Sequence, residues 1–426
     1  MTDSTARSGT NAHAGSASAP YGLYERLVVA AFDEMTAGCL HLDLPSGESK
    51  VIGTPGAEVS ALIRGRDAAF FRKCVLFGEV GFGESYVDGD WDTDSIERVI
   101  AWAVLNVENS PTMSGSQAKH FALNLLKWYN RALHLLRPNS VETSRRNIAE
   151  HYDLGNDFYR LWLDETMTYS SAYFTEPGQT LESAQVAKYD ALCRKLQLHA
   201  GDHVLEIGCG WGGFASHAVR TYGCRVTMVT ISEAQLAYAR ERFVREGIAD
   251  RADARLADYR TLTGQYDKIV SIEMMEAIGD RYLETYFARI HDLLMPGGLV
   301  AVQYITVPDS RHVELKRGVD WIQKHIFPGS LLLSVGRVNQ AINRTGDLFL
   351  HDLEDIGASY ARTLHAWWER FNARITDVRG LGFDSRFVRK WNYYLQYCEA
   401  AFATRNISVV QAVYTRPNNR ALHRAW

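Results

Sequence analysis

His203–Phe214 reads HVLEIGCGWGGF, and the fold turns on how this stretch is read. A short apolar run ends at an acid, Glu206, and opens into Gly208, Gly210, Gly212 and Gly213. Such a run followed by clustered glycines defines a buried strand, a tight turn and the start of a helix, an arrangement that brings backbone close to a nucleotide-like cofactor. Downstream the pattern alternates: RVTMVTIS, ARLAD, YDKIVSIE and GLVAVQYI are strand-like, with helical segments between them. The alternation predicts an α/β fold built on a doubly wound parallel sheet, with its ligand at the carboxyl ends of the first strands.

Beyond Pro308 the chain turns helical and aromatic in GVDWIQKHIFPGS, HDLEDIGASYARTLHAWWERF and FVRKWNYYLQYCEAAFA, before a last strand-like SVVQAVYTR. These helices are expected to cap the active end of the sheet. Their aromatics suit either plain packing or the wall of an apolar substrate cavity.

Upstream, residues 1–19 are small and polar and read as a disordered tail. Residues 20–115 read as a small α+β domain: a helix around LYERLVVAAFDEM, the strand-like CLHLDL, and VLFGEVGFGESYVDGDW, whose recurring glycines are taken as tight turns. Asp88, Asp90, Asp92 and Asp94 lack the spacing and closing glutamate of a calcium loop. NSPTMSGS at 109–116 is the linker candidate, and the catalytic unit is placed at 116–426. QAKHFALNLLKWYNRALHLLR is an amphipathic helix that either packs on its own domain or lies at a lipid interface, with Lys119, Lys127, Arg131, His134 and Arg137 toward anionic headgroups.

Composition narrows the function. With 46 basic against 50 acidic residues the formal charge is −4, which does not suit a nucleic-acid binder. The 6 cysteines form no CxxC pair, so neither a zinc site nor a disulfide framework is expected, and reduced thiols fit a cytoplasmic protein. No run approaches the roughly 18 apolar residues of a spanning helix, so any membrane contact is peripheral.

The glycine register distinguishes the cofactor. GCGWGG departs from the dinucleotide GxGxxG and, with Glu206 two positions ahead, resembles the turn of class I S-adenosylmethionine methyltransferases. S-adenosylmethionine carries a sulfonium and an ammonium group and no pyrophosphate, so a carboxylate beside the turn is useful. Asp258 and Tyr259 supply a carboxylate and an aromatic face for adenine.

HYDLGNDFYRLWLDETMTYSSAYF, TLESAQVAK, VLEIGCGWGG, VTISEAQ, DYR, EMMEAIG, IFPG and TLHAWWERF then follow in order, and over residues 147–415 the chain resembles the cyclopropane-fatty-acyl-phospholipid synthase family. The resemblance implies a Rossmann-like S-adenosylmethionine methyltransferase domain with a helical cap. It implies transfer of a methylene to the cis double bond of an unsaturated phospholipid acyl chain by a peripheral, dimeric enzyme at the inner face of the membrane. The N-terminal region looks like the extra domain of the phospholipid-acting members. Carried over by position, Tyr169 and Ser170 approach the cofactor, Glu206, Gly208, Gly210 and Gly212 form its floor, Thr230, Ser232 and Gln235 take its ribose and methionine side, and Asp258 and Tyr259 take its adenine. The family's bicarbonate, which accepts the proton, maps onto Ser171, Glu276, Gln303, the backbone of Ile305 and Tyr360. Ser171 stands where many members have cysteine, and Gln303 and Ala277 where they have histidine; glutamine and an EAxG motif resemble the branch that includes plant enzymes. Without bicarbonate, a base such as Glu276 taking a proton from a neighbouring chain carbon would give a methylene- or methyl-branched product.

Overall fold

The structure is a computed structural model, and it describes residues 22–107 and 154–422. The expected tail, linker and cationic amphipathic helix lie outside the described residues.

The first unit holds α1 (Leu23–Asp33), β1 (Cys39–Asp43), β2 (Ser49–Gly53), β3 (Ser60–Gly65), α2 (Ala69–Asp88), β4 (Trp91–Asp92) and α3 (Ile96–Leu105). Its sheet has the order β2-β1-β3-β4, and β1 pairs parallel with β3. The glycine-rich stretch read as tight turns is instead the body of α2, kinked at Gly78 (φ 56°, ψ −134°). The glycines serve close packing: a Cβ on Gly83 would sit 2.5 Å from Trp321 Cδ1 and 2.8 Å from Tyr393 Cε1.

The second unit continues with α4 (Asn156–Arg160), α5 (Leu181–Lys195), β5 (His203–Ile207), α6 (Gly213–Tyr222), β6 (Arg225–Thr230), α7 (Glu233–Arg245), β7 (Ala252–Leu256), β8 (Tyr266–Ile272), α8 (Leu283–Leu293) and β9 (Leu294–Thr306). Then come α9 (Asp309–Arg317), α10 (Trp321–His325), α11 (Val335–Thr345), β10 (Phe349–Asp355), α12 (Gly357–Ala373), α13 (Ile375–Gly380), α14 (Ser385–Ala403) and β11 (Ser408–Thr415). The sheet order is β10-β11-β9-β8-β5-β6-β7. Strands β5 to β9 run parallel, and β11 returns antiparallel between β9 and the edge strand β10. The doubly wound expectation therefore holds with one antiparallel strand, β11, and the edge strand β10 added beyond β9. His351–Asp355, read as helical, forms part of β10, because pairing with β11 outweighs the local pattern.

Central strands are covered on both faces, which explains why β5 and β9 from Gly298 onward are nearly continuous in buried residues. Strand order reverses between β5 and β8, and this switch point opens a crevice at their carboxyl ends. Helices α12 and α14 pack on each other above it and join the first unit in one apolar cluster. Gln396 Oε1 on α14 accepts from the amides of Ile96 (2.8 Å) and Glu97 (3.1 Å), satisfying the first turn of α3 across that boundary.

Because its added methyl has no space against Trp321 and Tyr393, Gly83→Ala is expected to destabilise the protein by about 1–3 kcal/mol. Urea unfolding followed by tryptophan fluorescence checks this, and an unchanged midpoint would contradict the packing assigned to α2.

Candidate active site

A cavity of about 410 Å³ opens at the switch point. On its cofactor side the turn after β5 presents Gly208 (φ 80°) and Gly210 (φ 49°), both in a conformation that side chains resist. A Cβ on Gly208 would come within 2.6 Å of Met274 Cγ, so the turn also needs glycine for space. Gly212 does not line the cavity; it caps α6 and faces Phe243.

Glu206, the penultimate residue of β5, is buried, and among the described residues its Oε2 has no hydrogen-bond partner. Burial pushes its carboxyl up to about 8. An acid with one oxygen unpaired, its carboxylate otherwise held by the Ala215 amide, fits a cationic ligand group such as an ammonium beside the glycine turn.

Thr230 and Gln235 line the wall beside β6, and the Thr230 hydroxyl donates to Gln235 Oε1 at 2.9 Å. Ser232 lies off the cavity, where its Oγ accepts from the Gln235 amide as the cap of α7. Asp258 and Tyr259 reach the cavity as expected, but Arg260 grips the Asp258 carboxylate through Nε (2.8 Å) and Nη2 (2.6 Å). An adenine amino group would share that carboxylate with the guanidinium. Tyr169 and Ser170 line the opposite wall, and the Tyr169 hydroxyl lies 2.8 Å from that of Tyr394.

The proton-accepting half differs from expectation. Three donors assigned to bicarbonate converge on a side chain of the protein, Glu273. Its Oε1 accepts from the Ser171 amide at 2.8 Å and from Gln303 Nε2 at 2.7 Å, and its Oε2 accepts from the Tyr360 hydroxyl at 2.7 Å. Gln303 is locked in this orientation by Gln411, whose Nε2 donates to Gln303 Oε1 at 3.0 Å. The Ser171 hydroxyl turns away to the carbonyl of Ala172, so serine in place of cysteine does not change the donor that matters, which is the backbone amide. Ser171 and Gln303 are buried behind the cavity lining, whereas Glu273, Glu276, Ile305 and Tyr360 reach it. With its donors engaged by an internal carboxylate, the site does not fit bicarbonate.

Glu273 follows β8 with φ 48°, a positive value that side chains adopt rarely and that is concentrated at functional positions. Burial raises its pKa despite three hydrogen bonds that favour the charged form. Glu276, on the next turn, accepts the Ile305 amide at 2.6 Å through Oε1, while Oε2 has no partner among the described residues. Burial, with Glu273's charge added, pushes Glu276 up to about 8. Two acids in contact with one cavity are thus poised so that one holds a proton while the other is free to take one. EMMEAIG contains both glutamates, and the extra acid three residues before Glu276 was the available signal for the one the sequence reading left unassigned.

The remaining wall is apolar. Phe327, Leu364, Tyr394, Ala401 and Phe402 line it, and Tyr360 stacks on Phe402 with ring centroids 4.4 Å apart. The aromatics of the cap therefore divide: some are core, and some face the cavity.

Fold and site together define an S-adenosylmethionine-dependent methyltransferase. The sequence matches the family described as mycolic acid cyclopropane synthetase over residues 139–412, and the chain belongs to that family. It is 38% identical over 387 residues to the tuberculostearic acid methyltransferase UfaA1 of Mycobacterium tuberculosis, covering 88% of each chain. It is 37% identical over 356 residues to the cyclopropane-fatty-acyl-phospholipid synthase of Escherichia coli strain K12, covering 83% of this chain and 87% of the relative. The mycolic acid cyclopropane synthase CmaA1, solved with SAH and CTAB, superposes with a TM-score of 0.59 at 29% identity, covering 64% of this chain and 98% of the other.

Because Glu206 titrates near 8, it holds its proton at pH 7, and a ligand cation placed beside it favours the charged form. Binding of S-adenosylmethionine at pH 7 is therefore expected to release a proton, seen by calorimetry as a binding enthalpy that varies with the ionisation enthalpy of the buffer. Glu206→Gln should lose that release, and a buffer-independent enthalpy in the unaltered protein would contradict the role given to Glu206.

Proposed function

We propose that this protein methylates the cis double bond of an unsaturated acyl chain in a membrane phospholipid, that Glu273 accepts the proton released, and that the product is a methylene-branched chain. The observation that carries the reading is the Glu273 carboxylate held by the Ser171 amide, Gln303 and Tyr360.

S-adenosylmethionine supplies the activated methyl group. Glu206, the turn at Gly208 and Gly210, Thr230, Gln235 and the Asp258–Tyr259 corner would hold it. The apolar wall positions the alkene and excludes water, which a feeble nucleophile requires. Methyl transfer leaves positive charge on the acyl chain, and the Tyr169, Phe327, Tyr360 and Tyr394 rings beside the cavity stabilise it without forming a bond. Direct proton loss from the transferred carbon closes a cyclopropane. A 1,2-hydride shift first places the charge on the substituted carbon, and loss of a proton from the transferred carbon to Glu273 then leaves a C=CH2 methylene branch on the chain. The three donors offset part of the rise that burial gives Glu273 and so temper its basicity, which gives the shift time to occur. UfaA1, named for a methyl-branched acid, is a relative over 88% of this chain and supports this outcome.

Ring closure is the second reading. The Escherichia coli relative is a named cyclopropane synthase, and Glu276, Ile305 and Tyr360 keep the places that the family resemblance gives them. The lipid substrate is supported by the same relative's name and by the CTAB-bound neighbour. Among the described residues no helix is long and apolar enough to cross a membrane. A peripheral role for residues 20–115 at the inner face is supported by α1, which leaves Leu23 65% and Leu27 49% exposed one turn apart.

Glu273→Gln keeps the shape and removes the base, so turnover is expected to fall by about 10²–10⁴-fold with cofactor affinity nearly unchanged. NMR of lipid extracted from an expressing host separates the products: vinylidene protons mark the branch, and upfield ring-methylene protons mark the cyclopropane. Ring signals alone would overturn the branched reading, and normal turnover by Glu273→Gln would overturn the base.

A further inference from the structure

Lys188 is fully buried in α5, away from the surface where a lysine normally keeps its charge. Its Nζ donates to Ser170 Oγ at 2.7 Å, while Gln185, one turn earlier on α5, donates to the Ser170 carbonyl at 3.0 Å. The next residue, Ser171, is the one whose amide donates to Glu273. The charged groups that face Lys188 come from three other elements: Asp164 before the cofactor-side loop, Glu206 at the end of β5 and Glu273 after β8. On its own helix the ammonium lies 4.5 Å from the Tyr189 ring centroid. Burial pulls Lys188 down to about 7, and the three acids oppose that pull. A cation is kept here at a cost in solvation, between the acid of the cofactor side and the acid of the proton-accepting side.

We propose that Lys188 is a positioning residue for the reaction: through Ser170 it sets the amide of Ser171 on Glu273, and its charge holds Glu273 in the ionised form that accepts the proton. The inference rests on Glu273 being the base. Lys188 touches neither substrate nor cofactor, since it is absent from the cavity lining. It accounts for a lysine in a place where an apolar side chain would pack with less loss of solvation.

The test uses the full chain, labelled S-adenosylmethionine and vesicles of a cis-unsaturated phospholipid, with kcat followed against pH. Removing the cation in Lys188→Met should raise the pH at which Glu273 ionises by about 1 unit, so the rising limb of kcat moves up and kcat below the limb falls roughly tenfold. Lys188→Arg retains the charge and should return the limb to its original position even where its bulk lowers the rate. Ser170→Ala keeps Lys188 and removes only the hydroxyl link; it should lower kcat and move the limb up by less than Lys188→Met does, and it can be assayed if Lys188→Met does not fold. A limb in Lys188→Met that coincides with the unaltered protein's, or a full kcat in Ser170→Ala, would overturn the proposal. The two readings fail separately: normal turnover by Glu273→Gln removes the base, whereas an inactive Glu273→Gln beside an unshifted Lys188→Met removes only the role of Lys188.

Discussion

The site depends on one buried carboxylate and the donors that surround it. Glu273 receives an amide from the loop before α5, an amide nitrogen from β9 and a phenol from α12. An isolated carboxylate buried at this depth would be too costly to keep. Here the sheet, the cap and the cofactor-side loop are tied to one another through it, and each is positioned by what it donates. The left-handed backbone at Glu273, whose own amide donates to the Gln303 carbonyl at 2.7 Å, aims the side chain back into this ring of donors and not along the strand.

Around that carboxylate the protein gathers ionisable groups where most proteins exclude them. Glu206 and Glu276 each rise to about 8 and Lys188 falls to about 7, in every case chiefly because burial disfavours the charged form. For the two glutamates the consequence for stability has a definite sign. A carboxyl with a folded pKa above its unfolded value keeps its proton in the native state, so the stability it contributes is present at low pH and is lost as pH rises from the ordinary carboxylate range through about 8. Lys188 acts oppositely, favouring the native state at high pH and opposing it as pH falls from about 10.5 through 7.

Much of the scaffold was legible in the sequence because it is written in local patterns. Glycines after an apolar run place the turn, strand–helix alternation places the sheet, and Glu206, Thr230, Gln235, Asp258 and Tyr259 fall on the cavity wall. Misreadings occurred where tertiary contacts override local composition. The glycines of α2 look like turns until Trp321 and Tyr393, more than two hundred residues away, are seen packed on Gly83. Ser171 was assigned by the identity of its side chain, whereas its backbone amide is the donor, a distinction that side-chain identity does not carry. Glu273 was visible in EMMEAIG as a letter, but its function comes from a backbone turn and from donors on three other segments.

The central claim is that an internal carboxylate stands where the family resemblance implies bicarbonate, and the dependence of turnover on that ion tests it most directly. Steady-state rates are measured in carbon-dioxide-free buffer and again after bicarbonate is restored. Equal rates in the two conditions are expected, because the Ser171 amide, Gln303 and Tyr360 already hold Glu273. A rate that collapses on depletion and recovers with added bicarbonate would contradict it.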